Sequence, residues 1–190
     1  MKFPDRVAIT EVGPRDGLQN EERILPLDRK VELIDKLSQT GLTRIEAASF
    51  VHPKAIPQMA NAADVMRGIK REPGVTYIGL VPNERGARDA IESGVDEIAT
   101  VVSASESHNK ANINRTIAET FQEISAVAGL ASDAGLRWCG YISTAFGCPY
   151  EGEVEADAVI AIAGRLREAG AYAISLGDTI GIGNPKQVYA

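Results

Sequence analysis

Cysteine and histidine are scarce in this sequence, and long apolar runs are absent. Only two cysteines, Cys139 and Cys148, occur in 190 residues, too few for a disulfide framework, and their spacing fits no C-x-x-C zinc or redox motif. We therefore expect both to be reduced thiols, as in a cytoplasmic protein. No run approaches the ~20 apolar residues that a membrane helix needs. The start of the sequence lacks the long apolar core of a signal peptide.

Clustered positive charge is also missing. The formal net charge is −6, whereas surfaces that bind nucleic acids or anionic membranes carry clustered lysine and arginine. We therefore expect neither a nucleic acid nor a membrane as partner, and we expect a small-molecule substrate. The chain does contain 44% hydrophobic residues, enough to bury a sizeable core. No linker or low-complexity segment divides it, so residues 1–190 are predicted to form a single domain.

A recurring pattern predicts the fold. Five times a polar segment ends on a glycine that is followed at once by an apolar run, which is typical of a helix that closes on glycine and leads into a buried strand. These glycines are Gly41, Gly74, Gly94, Gly135 and Gly170. Apolar residues at helical spacing precede several of them, as in segments 27–37, 117–128 and 159–166. With "RVAITEVG" as the first strand, the pattern predicts six strands that alternate with helices in a parallel sheet.

Two α/β architectures accept this alternation: a doubly wound sheet and a (β/α)8 TIM barrel. A dinucleotide-binding sheet carries G-x-G-x-x-G after its first strand, and "VGPRDG" does not supply it. This favours the barrel, whose active site lies at the carboxyl ends of the strands. Polar residues gather at those predicted ends: Arg15, Asp16, Glu46, Ser49, Asn83, Ser103, Ser105, Glu106, Tyr141, Ser143, Thr144, Asp178 and Thr179. Six strands do not close an eight-stranded barrel, so we expect an incomplete barrel of about six β/α units.

The stretch "EVGPRDGLQNE", residues 11–21, resembles the first-strand signature of the 3-hydroxy-3-methylglutaryl-CoA lyases, a family of metal-dependent TIM-barrel enzymes. Similar segments follow in order: "IEAASFVHPKAIPQMA", "NIN", "GYISTAFGCPYEGEV" and "ISLGDTIGIGNP". The resemblance covers nearly the whole chain and corresponds to the amino-terminal three-fifths or so of the family. It implies a carbon–carbon lyase that cleaves 3-hydroxy-3-methylglutaryl-CoA to acetyl-CoA and acetoacetate by retro-Claisen chemistry. It also implies Mg²⁺ or Mn²⁺ as cofactor and a role in leucine degradation.

The resemblance also assigns roles to individual residues. Asp16 matches the family's metal-binding aspartate, and a hard divalent ion prefers such a carboxylate. Arg15 matches the arginine that stabilises the enolate oxygen, a task suited to a permanently charged planar donor. Glu46 lies in mid-strand, where an unpaired charge is costly, so we expect it to pair with Arg15 and to complete the catalytic set. Positions that line the substrate pocket are matched by Gln19, Tyr141 and Asp178.

The family's other metal ligands have no counterpart in this sequence. They are a His-x-His pair on the seventh strand and a following asparagine, and a mobile glycine-rich loop carries a catalytic cysteine. The two histidines present, His52 and His108, match neither ligand position and are expected in loops, and Cys148 is expected to be a packing residue. We therefore expect the 190-residue chain to lack part of the active site and to be a poor catalyst by itself.

Several alternatives remain open. From spacing alone, Arg15 and Asp16 form either a structural ion pair or a functional one. A condensing relative, such as an isopropylmalate or homocitrate synthase, shares the aspartate but runs Claisen chemistry forward with a 2-oxo acid. A third alternative is an inactive fragment that acts as a binding partner. An incomplete barrel leaves two sheet edges unpaired and prone to association, and we therefore expect a homo-oligomer.

Overall fold

The computed structural model describes residues 4–189, and over that range strands alternate with helices as predicted. The strands are β1 (Thr10–Glu11), β2 (Arg44–Ser49), β3 (Thr76–Leu80), β4 (Glu97–Ser103), β5 (Arg137–Ser143) and β6 (Ala173–Leu176). The α-helices are α1 (Leu27–Ser38), α2 (Ala62–Gly68), α3 (Glu84–Glu92), α4 (Glu106–Ile113), α5 (Ile117–Asp133), α6 (Ala156–Glu168) and α7 (Pro185–Tyr189). No helix within residues 4–189 is both long enough and apolar enough to span a membrane.

The described chain divides into two compact units, residues 4–98 and 99–189. The first unit holds β1, β2, β3 and the opening of β4, which neighbour one another in that order. The second holds the remainder of β4, then β5 and β6, again in chain order. The single-domain organisation of residues 1–190 stays a prediction.

In the first unit, β2 pairs in parallel with β1 on one side and with β3 on the other. Its core is built from β-branched side chains of the strands and the apolar face of α1, with Ile34, Ile45 and Ile78 fully buried. The register of β2 on β3 shifts between Glu46 and Ala48, so β2 contains a β-bulge at that point. The strand predicted from "RVAITEVG" is shorter than expected. Pairing with β2 covers only Thr10 and Glu11, because a tight turn begins at Gly13.

In the second unit, β5 and β6 are parallel, with Cys139 opposite Ala173. Helices α5 and α6 bury Ile124 and Leu166. A Cβ atom at Gly140 would lie 2.8 Å from Leu166 Cδ1, so glycine in β5 lets Leu166 approach the strand directly.

The five glycines predicted to precede strands all have positive φ angles, from 67° to 99°.

A buried ion pair joins two strands of the first unit near their amino ends. Arg44, the first residue of β2, donates from Nη2 to Glu97 Oε1 at 2.6 Å and from Nη1 to Glu97 Oε2 at 3.1 Å. Its Nε donates to Thr10 Oγ1 at 3.2 Å. The Glu97 side chain is fully buried and that of Arg44 is 20% exposed. This bidentate pair therefore connects β2 to β4 away from water.

A second buried cation lies on α1. Lys30 is buried, and its Nζ donates to the carbonyl oxygen of Gln58 and, at 2.7 Å, to Asn61 Oδ1. Burial lowers the pKa of Lys30 below its ordinary value. The ammonium thus holds α1 against the loop that connects β2 to α2.

Candidate active site

The predicted first-strand signature forms a tight turn directly after β1. Residues Gly13–Gly17 make one π-helical turn, in which the carbonyl oxygen of Val12 accepts hydrogen bonds from the backbone N–H groups of Arg15 at 3.1 Å and Asp16 at 2.7 Å. Pro14 fits the start of this turn because it has no N–H group that would need an acceptor. The turn therefore fixes where the side chains of Arg15 and Asp16 leave the backbone.

The guanidinium group of Arg15 lies between two carboxylates. Its Nε donates to Glu46 Oε1 at 2.5 Å, and its Nη1 donates to Asp16 Oδ1 at 2.8 Å. Glu46 is fully buried, and the Arg15 side chain is 13% exposed. The predicted pairing of Glu46 with Arg15 is thus present. Within residues 4–98 the Nη2 atom of Arg15 has no acceptor, so two of its N–H bonds remain able to bind an oxygen atom.

Asp16 combines a structural contact with an accessible oxygen. Its side chain is 53% exposed, and only Oδ1 contacts Arg15. A carboxylate is the kind of ligand that Mg²⁺ and Mn²⁺ prefer, so the donor type fits the predicted ion. Among residues 4–189, no group of three or more His, Cys, Asp or Glu side chains is placed to hold a metal ion. These residues therefore supply one suitable ligand and not a complete coordination sphere.

The three residues predicted to line the pocket occupy different elements. Gln19 is half-buried just after the π-helical turn, and Tyr141 is half-buried on β5 opposite Ser175. Asp178 is exposed after β6, where Oδ1 accepts from the N–H of Ile182 and Oδ2 from the N–H of Gly183, both at 3.0 Å. The Asp178 carboxylate therefore shapes its own loop, and the role of all three residues in substrate binding stays a prediction.

A polar cluster around Cys148 is the main feature that sequence reasoning missed. Cys148 is buried as expected, but its Sγ accepts hydrogen bonds from Ser105 Oγ at 2.9 Å and from the N–H groups of Tyr150 at 3.3 Å and Glu151 at 3.4 Å. Burial raises the pKa of the thiol, but the hydrogen bonds together lower the pKa by more. The net pKa of Cys148 therefore lies below its ordinary value. The N–H groups of Tyr150 and Glu151 come two and three residues after Cys148 in "CPYE". This spacing is the only signal in the sequence that indicates hydrogen bonds to the thiol.

His108 was expected in a loop, and this expectation is wrong. Ser105 caps the helix α4 by accepting from the N–H of His108, which places His108 in the first turn of that helix. Its Nδ1 lies 2.7 Å from Ser103 Oγ, and burial lowers the pKa of the imidazole. A serine followed by an acidic residue is a helix-start signal that identifies this helix in the sequence. His52 does lie outside regular helices and strands, as expected.

The contacts of Cys148 predict a pH effect. Ser105→Ala, made in a Cys139→Ala background, is expected to raise the pKa of Cys148, because it removes the only side-chain donor among the three hydrogen bonds named above. The folded-state pKa lies below the unfolded one, so the folded state binds fewer protons between these values and stability rises with pH across that window. Ser105→Ala should reduce this rise.

Thiolate ultraviolet absorbance against pH measures the pKa of Cys148. Ser125→Ala, on a helix elsewhere, is the control and should leave it unchanged.

The chain matches the HMGL-like family over residues 6–190. It is similar to hydroxymethylglutaryl-CoA lyase YngG of Bacillus subtilis, with 50% identity over 188 residues that cover 99% of this chain and 63% of the relative. The crystal structure of the Bacillus subtilis HMG-CoA lyase superposes with a TM-score of 0.96 at 49% identity, over 99% of this chain and 63% of that one.

A second solved structure was obtained with ligands. It is an HMG-CoA lyase from Acinetobacter baumannii in complex with coenzyme A and 3-methylmalate, with a TM-score of 0.94 at 40% identity, over 99% of this chain and 61% of that one. These similarities confirm the predicted fold class, an α/β (β/α)8 barrel of which this chain forms about six β/α units. The chain spans about three-fifths of the length of the relatives it matches.

Proposed function

Because this chain belongs to the HMGL-like family, we propose that the protein is a carbon–carbon lyase that cleaves 3-hydroxy-3-methylglutaryl-CoA to acetyl-CoA and acetoacetate. The observation that carries the proposal is the guanidinium of Arg15 at the end of the first strand, held between the fully buried Glu46 and the exposed Asp16. The similarity to a lyase with bound coenzyme A supports an acyl-CoA as the substrate. The reaction would serve leucine degradation.

The chemistry requires a group such as Arg15. The tertiary hydroxyl of the substrate loses its proton, the bond between C2 and C3 breaks, and the electron pair passes to the thioester as an enolate. C3 becomes the ketone of acetoacetate, and protonation of C2 gives acetyl-CoA. An N–H bond aimed at the enolate oxygen lowers the barrier because it stabilises charge that develops only during the reaction. Glu46 and Asp16 keep the guanidinium in one orientation, so no reorganisation is needed when that charge appears.

Asp16 would be one ligand of a divalent ion, Mg²⁺ or Mn²⁺. Such an ion makes a bound hydroxyl more acidic and orients substrate oxygens. We expect Asp16→Asn to weaken Mn²⁺ binding about tenfold or more, because an amide oxygen lacks the charge of the carboxylate. Electron paramagnetic resonance of free Mn²⁺ measures this without any turnover. Asp28→Asn, at a 79% exposed side chain on α1, is the matched control and should bind Mn²⁺ as the unmodified protein does.

We further propose a cytoplasmic homo-oligomer. Both cysteines of the described chain are free thiols, as in reducing compartments. Large apolar side chains outside the edge strands are exposed, including Tyr150 and Ile160, and such surface favours association.

One assay tests the proposed reaction against its condensing alternative. The protein expressed from its intact gene is incubated with 3-hydroxy-3-methylglutaryl-CoA and Mg²⁺, and acetyl-CoA and acetoacetate are quantified. Parallel reactions contain acetyl-CoA with 2-oxo acids, and release of free CoA is measured. Equal amounts of the two products in the first reaction support the lyase. CoA release only in the second would assign the condensing reaction instead, and inactivity in both would leave a non-catalytic binding role.

A further inference from the structure

The hydroxyl of Ser49 lacks a hydrogen-bond partner although it is buried. Ser49 is the last residue of β2 and is 0% exposed, and within the described residues its Oγ has no donor or acceptor in reach. A buried hydroxyl that makes no hydrogen bond costs free energy, so native proteins rarely keep one without a use. The carboxyl ends of barrel strands carry the active site, so a bound ligand can supply the partner that this hydroxyl lacks.

The bulge in β2 determines which way Ser49 faces. Glu46 pairs with Ile78 and Ser49 pairs with Leu80, while Ala48 pairs with Gly79. Side chains of paired residues point to the same face of a parallel sheet, and Ile78 and Leu80 share a face because they are two residues apart. Ser49 therefore lies on the same face as Glu46. In a strand without the bulge, residues three apart would point to opposite faces.

The two faces of the sheet at this point differ in what they contact. A Cβ atom at Gly79, on the face that Ala48 shares, would meet Val95 and Phe50 within 3 Å, so this face packs into the apolar core. The opposite face carries Glu46 with its partner Arg15. Two aligned positions along a strand are about 6.6 Å apart. The bulge thus places Ser49 on the sheet face that carries Glu46 and its partner Arg15.

We propose that Ser49 is a substrate-binding residue whose hydroxyl donates a hydrogen bond to an oxygen of the acyl group held at Arg15. The inference rests on the proposed lyase function. Arg15 provides charge for the oxygen that becomes anionic, and Ser49 provides a neutral donor on the same sheet face that fixes a second oxygen. Two separate donors orient an acyl chain, whereas one donor leaves it free to rotate.

The test compares two buried serines of the same unit in the protein expressed from its intact gene. Ser49→Ala is expected to lower kcat/KM about ten- to a hundredfold, mainly by raising KM, and to leave the unfolding midpoint of the unliganded protein unchanged or higher. Ser38→Ala is the matched control. Ser38 Oγ donates to the carbonyl oxygen of Ile34 and accepts from the Tyr77 hydroxyl, so this variant should lower the midpoint and leave kcat/KM unchanged.

The two variants separate a ligand role from a structural one. If Ser49→Ala lowers the unfolding midpoint and leaves kcat/KM unchanged, the hydroxyl holds an internal water and the inference is overturned. If the unmodified protein cleaves acyl-CoA and Ser49→Ala is identical to it in kcat, KM and stability, only the inference fails. If the unmodified protein cleaves no acyl-CoA, the proposed function fails and the inference fails with it.

Discussion

Arg15→Lys is expected to lower the kcat of the proposed cleavage about 100- to 1000-fold, the usual cost of losing one well-placed donor to a developing oxyanion. Lysine keeps the positive charge but offers a single ammonium, which does not reproduce the planar fork that contacts Glu46 and Asp16 together. The lysine ammonium therefore cannot contact both carboxylates and also hold a fixed N–H bond towards the enolate oxygen. Steady-state rates of acetyl-CoA release, with circular dichroism to show that the variant is folded, measure the effect.

A matched substitution shows whether the loss is specific. Arg29→Lys changes an exposed arginine of α1 that pairs with Glu32, and it should leave kcat within about twofold. A further variant, Glu46→Gln, keeps the shape of the buried partner and removes its charge, so it should lower kcat by disordering Arg15. If Arg15→Lys is folded and fully active, Arg15 has only the structural role that spacing alone had left open.

Glu97→Ala is expected to reduce the free energy of unfolding by about 3–5 kcal/mol, because it removes the buried carboxylate that pairs with the largely buried Arg44. Both Nη atoms of Arg44 lose their acceptor at once, and only the contact from Nε to Thr10 remains of those described above. Urea unfolding followed by circular dichroism measures the change. The midpoint, and not the slope, should shift.

Two comparisons distinguish a buried ion pair from charge loss in general. Glu32→Ala removes a surface carboxylate that pairs with Arg29 and Lys36, and it should cost no more than about 1 kcal/mol. The double variant Arg44→Met/Glu97→Leu replaces both charges by apolar groups and should recover most of the stability lost in Glu97→Ala. A loss in Glu97→Ala as small as that in Glu32→Ala would contradict a structural role for the pair.

The features that the sequence predicted well are those encoded within a few neighbouring residues. A glycine shortly before a strand and apolar spacing of 3–4 residues are local signals, and they predicted six β/α units. The pairing of Glu46 with Arg15 joins residues 31 positions apart and is an exception. It was predicted because a charge in the middle of a buried strand needs a counter-charge.

The features that were missed depend on contacts between distant residues. Ser105 and Cys148 are 43 positions apart, so only the folded chain brings the donor to the thiol. The bulge at Glu46 and Ala48 arises from the match of β2 to β3 and has no signature in "RIEAAS" alone. Without the bulge, alternation would place Ser49 and Glu46 on opposite faces, so the face that Ser49 occupies was not predicted.

The buried ammonium of Lys30 gives this protein an internal reporter of local opening. An amine-reactive label modifies exposed lysines such as Lys36 in the native state, but it reaches Lys30 only when α1 separates from Gln58 and Asn61. The rate at which Lys30 acquires the label therefore measures how often the loop after β2 detaches. Because that loop follows directly from the strand that carries Glu46 and Ser49, the same rate reports local opening next to the candidate site.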